Sequence, residues 1–218
     1  LTDPSWYMGY VNSLTYVVMN TVISLTVALP AAYAFSRYSF MGDKHLFFWL
    51  LTNRMAPPAV FALPFLQLYS SVGLFDTHIA VALAHCLFNV PLAVWMLRGF
   101  FADLPVELEE AALVDGATRA QAFLKIVLPL ARPGIIATFI FTFILSWNEV
   151  LYATIFASSM QNQVISTALA TMLQESSGWL SWGMVNAAGV AATVPVLVFF
   201  VFIQRQLVTG FTAGAVKG

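Results

Sequence analysis

Residues 109–134 read EEAALVDGATRAQAFLKIVLPLARPG, a long polar and charged stretch in a chain that is otherwise strongly apolar. Hydrophobic residues make up 60% of the 218 residues and charged residues only 9%, with a mean hydropathy of +0.83. An ordinary soluble domain is about 25% charged, and the apolar content here exceeds what one core can enclose. The composition therefore predicts a membrane protein whose residues 109–134 lie outside the lipid.

Five apolar segments are long enough to cross a bilayer, whose hydrocarbon core needs roughly 20 helical residues. Their apolar residues run continuously and do not alternate with polar ones, so helices are predicted rather than the strands of a membrane barrel. We therefore predict an all-α, polytopic helical bundle with spans at 14–36, 46–69, 79–97, 135–157 and 185–203.

Basic residues outside the spans lie on one side of this predicted bundle. They fall in three regions, namely 37–45, 98–134 and the segment that follows 203. The opposite connections contain no Lys or Arg, and these are 1–13, 70–78 and 158–184. Because positive charge is retained in the cytoplasm, we expect a multi-pass protein of the cell membrane with residues 98–134 and the C-terminus in the cytoplasm.

Within 98–134, the residue pattern predicts two short helices that meet at a glycine. Pro105 and the acids that follow it, Glu107, Glu109 and Glu110, suit the first turns of a helix. Gly116 is predicted to end that helix in the left-handed conformation.

The second short helix is predicted to begin at a capping box formed by Thr118 and Gln121. Its apolar stripe is Ala120, Phe123, Leu124 and Val127, and the pair Leu128-Pro129 is predicted to end it. These residues alone leave two interpretations open. The two helices are either an amphipathic loop that rests on the cytoplasmic face or an element that docks against a partner.

A resemblance to a known family favours docking. The pattern E-A-A, three residues, G, nine residues, I-x-L-P occurs at 110–129, and it resembles the signature loop of permease subunits of ABC importers. In that family the first short helix is a coupling helix that inserts into a groove of the ATP-hydrolysing subunit. The resemblance implies that Glu110 pairs with a basic group of the ATPase, that Ala111 and Ala112 pack in the groove, and that Gly116 permits the turn. It assigns ATPase coupling to Glu110, Ala111, Ala112, Asp115, Gly116, Ile126, Leu128 and Pro129.

Four further segments are similar to carbohydrate-importer permeases of the maltose-type group. They are NSLTYVV with PAAYAFSRYSFMG (within 12–42), RMAPPAVFALPFLQLYSSVGLFDTH (54–78), SWNEVLYA (146–153) and VTGFTAGAVKG (208–218). Such subunits usually have six spans, so we expect a sixth, N-terminal span to be missing from this chain. The permease domain is then expected at 9–204, followed by a cytoplasmic tail at 205–218.

The chain lacks the G-x-x-x-x-G-K-[ST] loop that cradles nucleotide phosphates. We therefore expect a transport subunit, not an enzyme, that binds no cofactor itself and relies on ATP and Mg on partner ATPase subunits. The resemblance implies a second permease subunit in a heterodimer, two ATP-binding subunits and an extracytoplasmic solute-binding protein. A carbohydrate substrate and membrane lipid are expected ligands. No basic patch suggests nucleic acid.

Polar residues inside the predicted spans are candidates for a translocation path, since ionisable groups in a membrane tend to face a cavity or a partner. The candidates are Asn53, Arg54, Asn89, Trp147, Asn148 and Glu149. Arg54 and Glu149 differ in depth by roughly 9 Å at 1.5 Å per residue, so we predict that they approach one another or line the path. The alternative is that Arg54 extends to the membrane surface and Glu149 has a structural role.

Two other possibilities follow from the same residues. His85 and Asn89 share one helical face but lack a third ligand, which argues against a metal site and for structural hydrogen bonding. An ion-coupled secondary transporter with Glu149 as the coupling site is the alternative function. It accounts for the polar groups in the spans but leaves the loop at 109–129 without a role.

Overall fold

The computed structural model describes residues 4–175 and 179–215, and within these ranges the chain is helical and contains no β-strand. The predicted all-α bundle is therefore confirmed. A π-helical turn, Phe123–Val127, joins α6 to α7. In chain order the helices are α1 (Pro4–Arg37), α2 (Asp43–Met55), α3 (Pro58–Ser71), α4 (His78–Ala102), α5 (Glu107–Val114), α6 (Arg119–Ala122), α7 (Leu128–Leu130), α8 (Arg132–Trp147), α9 (Leu151–Phe156), α10 (Ile165–Glu175) and α11 (Trp179–Ala215).

Three single helices among the described residues are long and apolar enough to cross a membrane. They are Tyr7–Arg37, His78–Ala102 and Trp182–Val201, and they match the predicted first, third and fifth spans. Two bent helix pairs also qualify when each pair is counted as one span, which gives up to five spans. The pairs are Asp43–Met55 with Pro58–Ser71 and Arg119–Leu130 with Arg132–Trp147.

The predicted second span, 46–69, corresponds to two helices that together are long enough to cross a membrane. α2 and α3 meet at an angle of 95°. Ala56 has φ −70° and ψ 138°, the extended conformation favoured for a residue that precedes a proline. Pro58 then occupies the first turn of α3, where a proline fits because its missing N–H would have no helical partner.

The predicted fourth span, 135–157, is also divided. α8 ends at Trp147 and α9 begins at Leu151. The carboxylate of Glu149 accepts hydrogen bonds from the backbone N–H groups of Tyr152 and Ala153, so it caps the start of α9. A second bend, of 75°, precedes α8. The C-terminal tail expected from 205 is not marked by a helix end, since α11 continues to Ala215, and residues 216–218 lie outside the described residues.

α1 and α4 form the central packing pair of the bundle. Ala28 and Ala32 on α1, and Ala84 and Ala93 on α4, have no exposed surface. Small side chains let the backbones of membrane helices approach closely. The pairing therefore fixes the two helices that carry most of the buried polar groups described below.

The glycine and the capping box predicted in the cytoplasmic loop are confirmed. Gly116 has φ +86°, the left-handed conformation that glycine adopts without a Cβ penalty. Thr118 accepts a hydrogen bond from the Gln121 backbone N–H, and the Gln121 side chain accepts one from the Thr118 N–H. The turn and the start of α6 therefore follow from local sequence.

The second short helix differs from the prediction. The Leu128 N–H bonds to the carbonyl of Phe123, which widens this turn by one residue. Ala122 and Val127 are buried, whereas Ala120 and Leu124 of the predicted stripe are exposed. Pro129 lies in the first turn of α7 rather than ending the helix.

The start of α8 packs closely on α4. A Cβ added at Gly134 would collide with the ring of Phe100, whereas one added at Gly99 would meet no atom within 4 Å. Gly134 therefore allows the close approach that sets the position of α8.

Candidate functional site

A polar cavity of about 270 Å³ lies where both broken spans meet α4. It is lined by Arg54, Pro58, His85, Phe88, Asn89, Leu145, Ser146, Glu149 and Tyr152. A second cavity, of about 350 Å³, lies between the α8–α9 break, α10 and α11. Its lining residues are Trp147, Asn148, Val150, Ile165, Ser166, Leu169, Gly189, Ala192, Thr193 and Val196.

Glu149 and His85 are within hydrogen-bond distance of each other in the wall of the polar cavity. The distance from His85 Nε2 to Glu149 Oε2 is 2.9 Å, and the His85 side chain is almost fully buried. The ring of His85 also packs against Tyr16 and Tyr152. Since Glu149 also caps α9, the contact joins α4 to the start of that helix.

Arg54 lines the same cavity without pairing with Glu149. Its Nη1 donates to the backbone carbonyl of Phe88 at 2.9 Å, and its side chain is partly buried. Among the residues that the structure describes, His85 is the only basic side chain that contacts Glu149. Arg54 and Glu149 therefore line one cavity without a direct contact, and their place on the translocation path stays a prediction.

Asn89 belongs to a buried hydrogen-bond network that connects α1, α4 and α8. Its Nδ2 donates to Asn20 Oδ1 and to Ser146 Oγ, both at 2.7 Å. Asn20 in turn donates to the carbonyl of Ala82, and Tyr16 donates its hydroxyl to the carbonyl of Ser146. The structural hydrogen bonding predicted for Asn89 is confirmed.

Asn20 and Ser146 were missed at the sequence level. Each is a polar residue that directly follows three apolar ones, VVM before Asn20 and FIL before Ser146. That contrast is a usable signal, because a polar group in a span must be satisfied inside the protein. The pairing itself, over sequence separations of 69 and 126 residues, requires the fold.

The other predicted path residues lie elsewhere. Trp147 and Asn148 line the second cavity, where Trp147 Nε1 donates to the carbonyl of Ala192 at 3.1 Å. Asn53 lines neither cavity and donates to the carbonyl of Trp49 on its own helix. The six candidates therefore do not form one site, since only Arg54, Asn89 and Glu149 converge.

Helix α5 exposes part of the predicted coupling set. Glu110, Ala111, Asp115, Gly116 and Pro129 are exposed, and Ile126 and Leu128 are half-buried. Ala112 differs, since it is 8% exposed and packs against this chain. The predicted set therefore divides into an outward-facing part and a part that anchors the helix.

Glu109, which was given no contact at the sequence level, is the anchored acid of α5. Its Oε1 accepts from Arg37 Nε and its Oε2 from the hydroxyl of Tyr33, each at 2.6 Å. A small cavity of about 260 Å³ lies beside this pair. No sequence signal connects Glu109 with Arg37, because the two residues are 72 positions apart.

On the opposite face, Asp76 ties two connections together. Its carboxylate accepts from the Ser159 N–H at 3.0 Å, and its backbone carbonyl accepts from Asn162 Nδ2. Partial burial raises the pKa of Asp76, but hydrogen bonds from Ser159 and Asn162 outweigh it and lower that pKa below its usual value. Nearby, Asn12 donates to the carbonyls of Gln161 and Gln163. Within the described ranges, no three His, Cys, Asp or Glu side chains lie close enough to hold a metal ion.

Comparison with known proteins gives relatives along nearly the whole chain. The trehalose transport system permease protein SugB of Mycobacterium tuberculosis is 36% identical over 95% of this chain and 76% of its own length. The diacetylchitobiose uptake system permease protein DasC of Streptomyces coelicolor is 36% identical over 100% of this chain and 78% of its own length. The trehalose/maltose transport system permease protein MalG of Thermococcus litoralis is 31% identical over 100% of this chain and 79% of its own length.

Solved structures share the fold. A chain of a bacterial ABC transporter that imports the acidic polysaccharide alginate superposes with a TM-score of 0.77 at 23% identity, covering 94% of this chain and 76% of that one. A chain of the MetNI methionine ABC transporter gives a TM-score of 0.71 at 16% identity, covering 94% of this chain and 97% of that one. The relatives in sequence are permease subunits rather than enzymes, as the resemblance of the signature loop implied. Residues 5–211 match the sequence profile of the family, and the chain therefore belongs to the inner membrane components of binding-protein-dependent transport systems.

Proposed function

We propose that this chain is the permease subunit of an ATP-driven sugar importer and that α5 is its coupling helix. The observation that carries the proposal is the geometry of α5, which presents Glu110 and Ala111 outward and ends at the left-handed Gly116. The small side chain lets the backbone of a partner approach closely. The acid beside it offers a charged group to an arginine of that partner. The sugars transported by the relatives support a carbohydrate substrate, and the ABC transporters that share the fold support the ABC importer class.

The division within α5 refines the role expected for its alanines. Ala112 is already buried against this chain, so the surface available to an ATPase groove consists of Glu110, Ala111 and the exposed turn at Asp115 and Gly116. Docking is therefore proposed for these four residues. Ile126 and Leu128 support the following turn from within the chain.

The polar cavity is the proposed segment of the translocation path. Arg54 supplies donors, Glu149 supplies an acceptor, and Phe88 and Tyr152 supply apolar surface. Sugars combine hydroxyl groups with apolar ring faces, and binding sites of this kind place a few polar groups among apolar and aromatic side chains. The cavity therefore has the chemistry that suits a sugar passing through.

The proposed assembly contains a second permease subunit, two ATP-binding subunits that hold ATP and Mg, and an extracytoplasmic solute-binding protein. A solved relative of this fold is an alginate ABC transporter in complex with a pentasaccharide-bound periplasmic protein. The distribution of basic residues supports an inner-membrane location with residues 98–134 and the C-terminus in the cytoplasm. ATP then acts through its different affinity for two states of the complex.

The test is uptake of radiolabelled trehalose, maltose and diacetylchitobiose by vesicles that contain the complete complex, with ATP inside the compartment that α5 faces. Glu110→Ala is compared with Glu107→Gln, which changes an exposed acid on the same helix. The proposal predicts that uptake requires ATP and that only Glu110→Ala loses both uptake and stimulated ATP hydrolysis. Uptake driven by a proton or sodium gradient, and indifferent to Glu110, would reject it in favour of the ion-coupled alternative.

A further inference from the structure

The two adjacent acids of α5 point in different directions. Glu109 is 7% exposed, whereas Glu110 is exposed to solvent. Consecutive residues of an α-helix are about 100° apart around the axis, so a helix that lies on the protein surface directs one acid inward when it directs the next outward. Glu110 is thus available to a partner, and Glu109 is committed to this chain.

Both carboxylate oxygens of Glu109 are engaged by α1. Arg37 Nε donates to one oxygen and the Tyr33 hydroxyl to the other, each at 2.6 Å. The side chains of Arg37 and Glu109 are only 8% and 10% exposed. Exposed ion pairs add little stability because water and salt screen them. A pair that is shielded from water and completed by a further hydrogen bond holds its geometry more firmly.

Arg37 also holds the segment that leads into α5. Its Nη2 donates to the backbone carbonyl of Leu104 at 3.0 Å, three residues before α5 begins. In the part of the chain that the structure describes, every hydrogen bond between α5 and α1 runs through Glu109. Removal of its charge would therefore weaken the direct link between the two helices while leaving the outward face of α5 unchanged.

α1 continues from this link to the polar cavity. Tyr16 donates its hydroxyl to the carbonyl of Ser146, and Asn20 accepts from Asn89 and Ser146, which both line the cavity. Arg37 and Asn20 are 17 positions apart (37 − 20) on one continuous helix, a distance of about 26 Å at 1.5 Å per residue. A displacement of α5 can thus reach the cavity wall through one continuous helix, in which Pro30 lies between the two ends of the route.

We infer that Glu109 is a positioning residue that fastens α5 to α1, and that α1 carries the movement of α5 to the polar cavity. The inference rests on the proposed function, because it needs α5 to be the element that the ATPase moves. Glu110 then makes the contact with the partner, and Glu109 converts that contact into movement of the membrane helices.

The test uses the complete complex in lipid vesicles and measures, on the same preparation, ATPase subunit bound, ATP hydrolysed and radiolabelled trehalose, maltose or diacetylchitobiose taken up. Glu109→Gln should keep the ATPase bound and hydrolysis running, while uptake per ATP falls about fivefold or more, the lower range of coupling between distant sites. The exchange of charges in Arg37→Glu with Glu109→Arg should recover part of this ratio. Glu107→Gln should leave it unchanged.

A merely stabilising ion pair predicts a different result. In that case Glu109→Gln would lower the thermal midpoint and the amount of assembled complex, but the ratio of uptake to ATP would match the wild type at equal assembly. That result overturns the inference. If Glu109→Gln does not assemble, Tyr33→Phe decides, because it removes one hydrogen bond and keeps the ring, and a normal ratio there also overturns the inference. Failure of the proposed function is distinct, since Glu110→Arg would then leave ATPase binding and uptake unaffected.

Discussion

His85 Nε2 lies 2.9 Å from Glu149 Oε2, and the same carboxylate accepts the N–H groups of Tyr152 and Ala153 at the start of α9. The Glu149 side chain therefore caps the start of α9 and also attaches that helix to α4. Glu149 was considered at the sequence level as an ion-coupling site. Its contacts in the structure give it a structural role that does not require a transported ion.

Glu149→Gln should reduce stability by about 1–2 kcal/mol, because an amide has a single acceptor oxygen and no charge with which to hold His85 and the α9 N–H groups. The measurement is reversible unfolding in detergent or lipid, with sugar uptake recorded at equal assembly. His85→Gln should show a similar loss, and His45→Gln, at an exposed histidine on α2, is the control. Equal stability in all three variants would contradict the role given to this contact.

Asn20 and Asn89 should behave as one energetic unit. Each single change to Ala leaves a buried partner unsatisfied and should cost about 1–2 kcal/mol. The double change removes both partners, so its cost should fall clearly below the sum of the single costs in a double-mutant cycle. Thr26→Ala, at an exposed position of α1, is the matched control. Additive costs would show that the network is not cooperative.

Gly116→Ala should destabilise the cytoplasmic turn by about 1–2 kcal/mol, because φ +86° places an L side chain in the left-handed region. No atom lies within 4 Å of the added Cβ, so the cost is conformational rather than steric. Gly116→Asn should cost less, since asparagine adopts this conformation more readily. Hydrogen exchange at α5 and α6 measures the effect, and an equal loss for both variants would point to a contact instead.

Gly134→Ala should destabilise the protein by about 1–3 kcal/mol, the usual range for overpacking, because the added methyl group meets the Phe100 ring. Gly99→Ala adds the same group on α4 where the space is open, and it should be neutral or slightly stabilising. Thermal denaturation of both variants separates the destabilisation caused by the collision from the change in helix propensity that any Gly→Ala substitution brings. A cavity-forming Phe100→Leu change should rescue Gly134→Ala if the collision is the cause.

Asp76 should stabilise the outer connections in a pH-dependent way. Its pKa in the folded chain is lowered from the ordinary value of 3.8, so the folded state favours the ionised form. The stabilisation is fully present above pH 3.8 and is lost as the pH falls through the lowered pKa. The difference in thermal midpoint between wild type and Asp76→Asn should therefore be constant near neutral pH and shrink only in strong acid. A difference that stayed constant down to strong acid would contradict this role of the Asp76 carboxylate.

The sequence predicted the features that depend on residues a few positions apart in the chain. The apolar composition indicated membrane helices, and the glycine at 116 and the T-x-x-Q box at 118–121 indicated the turn and the helix start that the structure contains. These features depend on neighbours a few residues away. The same holds for Glu107, Glu109 and Glu110, which occupy the first turn of α5.

Features that depend on distant residues were not predictable. The π-helical turn at 123–127 was not predicted, and Leu124 of the expected apolar stripe is exposed. The apolar runs at 46–69 and 135–157 indicated two spans, but hydropathy gives neither the 95° bend between α2 and α3 nor the break between Trp147 and Leu151. Contacts such as Arg37 with Glu109 join residues 72 positions apart and have no local signal.

The two interruptions also explain how the membrane segments hold opposite charges that do not pair. Arg54 lies in the last turn of α2, and Glu149 lies at the start of α9. A helix carries partial negative charge at its C-terminus and partial positive charge at its N-terminus, so each ionised side chain has a counter-charge made of backbone. A charge in lipid is costly, and these helix ends reduce that cost alongside the hydrogen bonds that Arg54 makes to Phe88 and that Glu149 makes to His85 and the α9 N–H groups. The cavity thus keeps a cation and an anion apart without a direct pair between them.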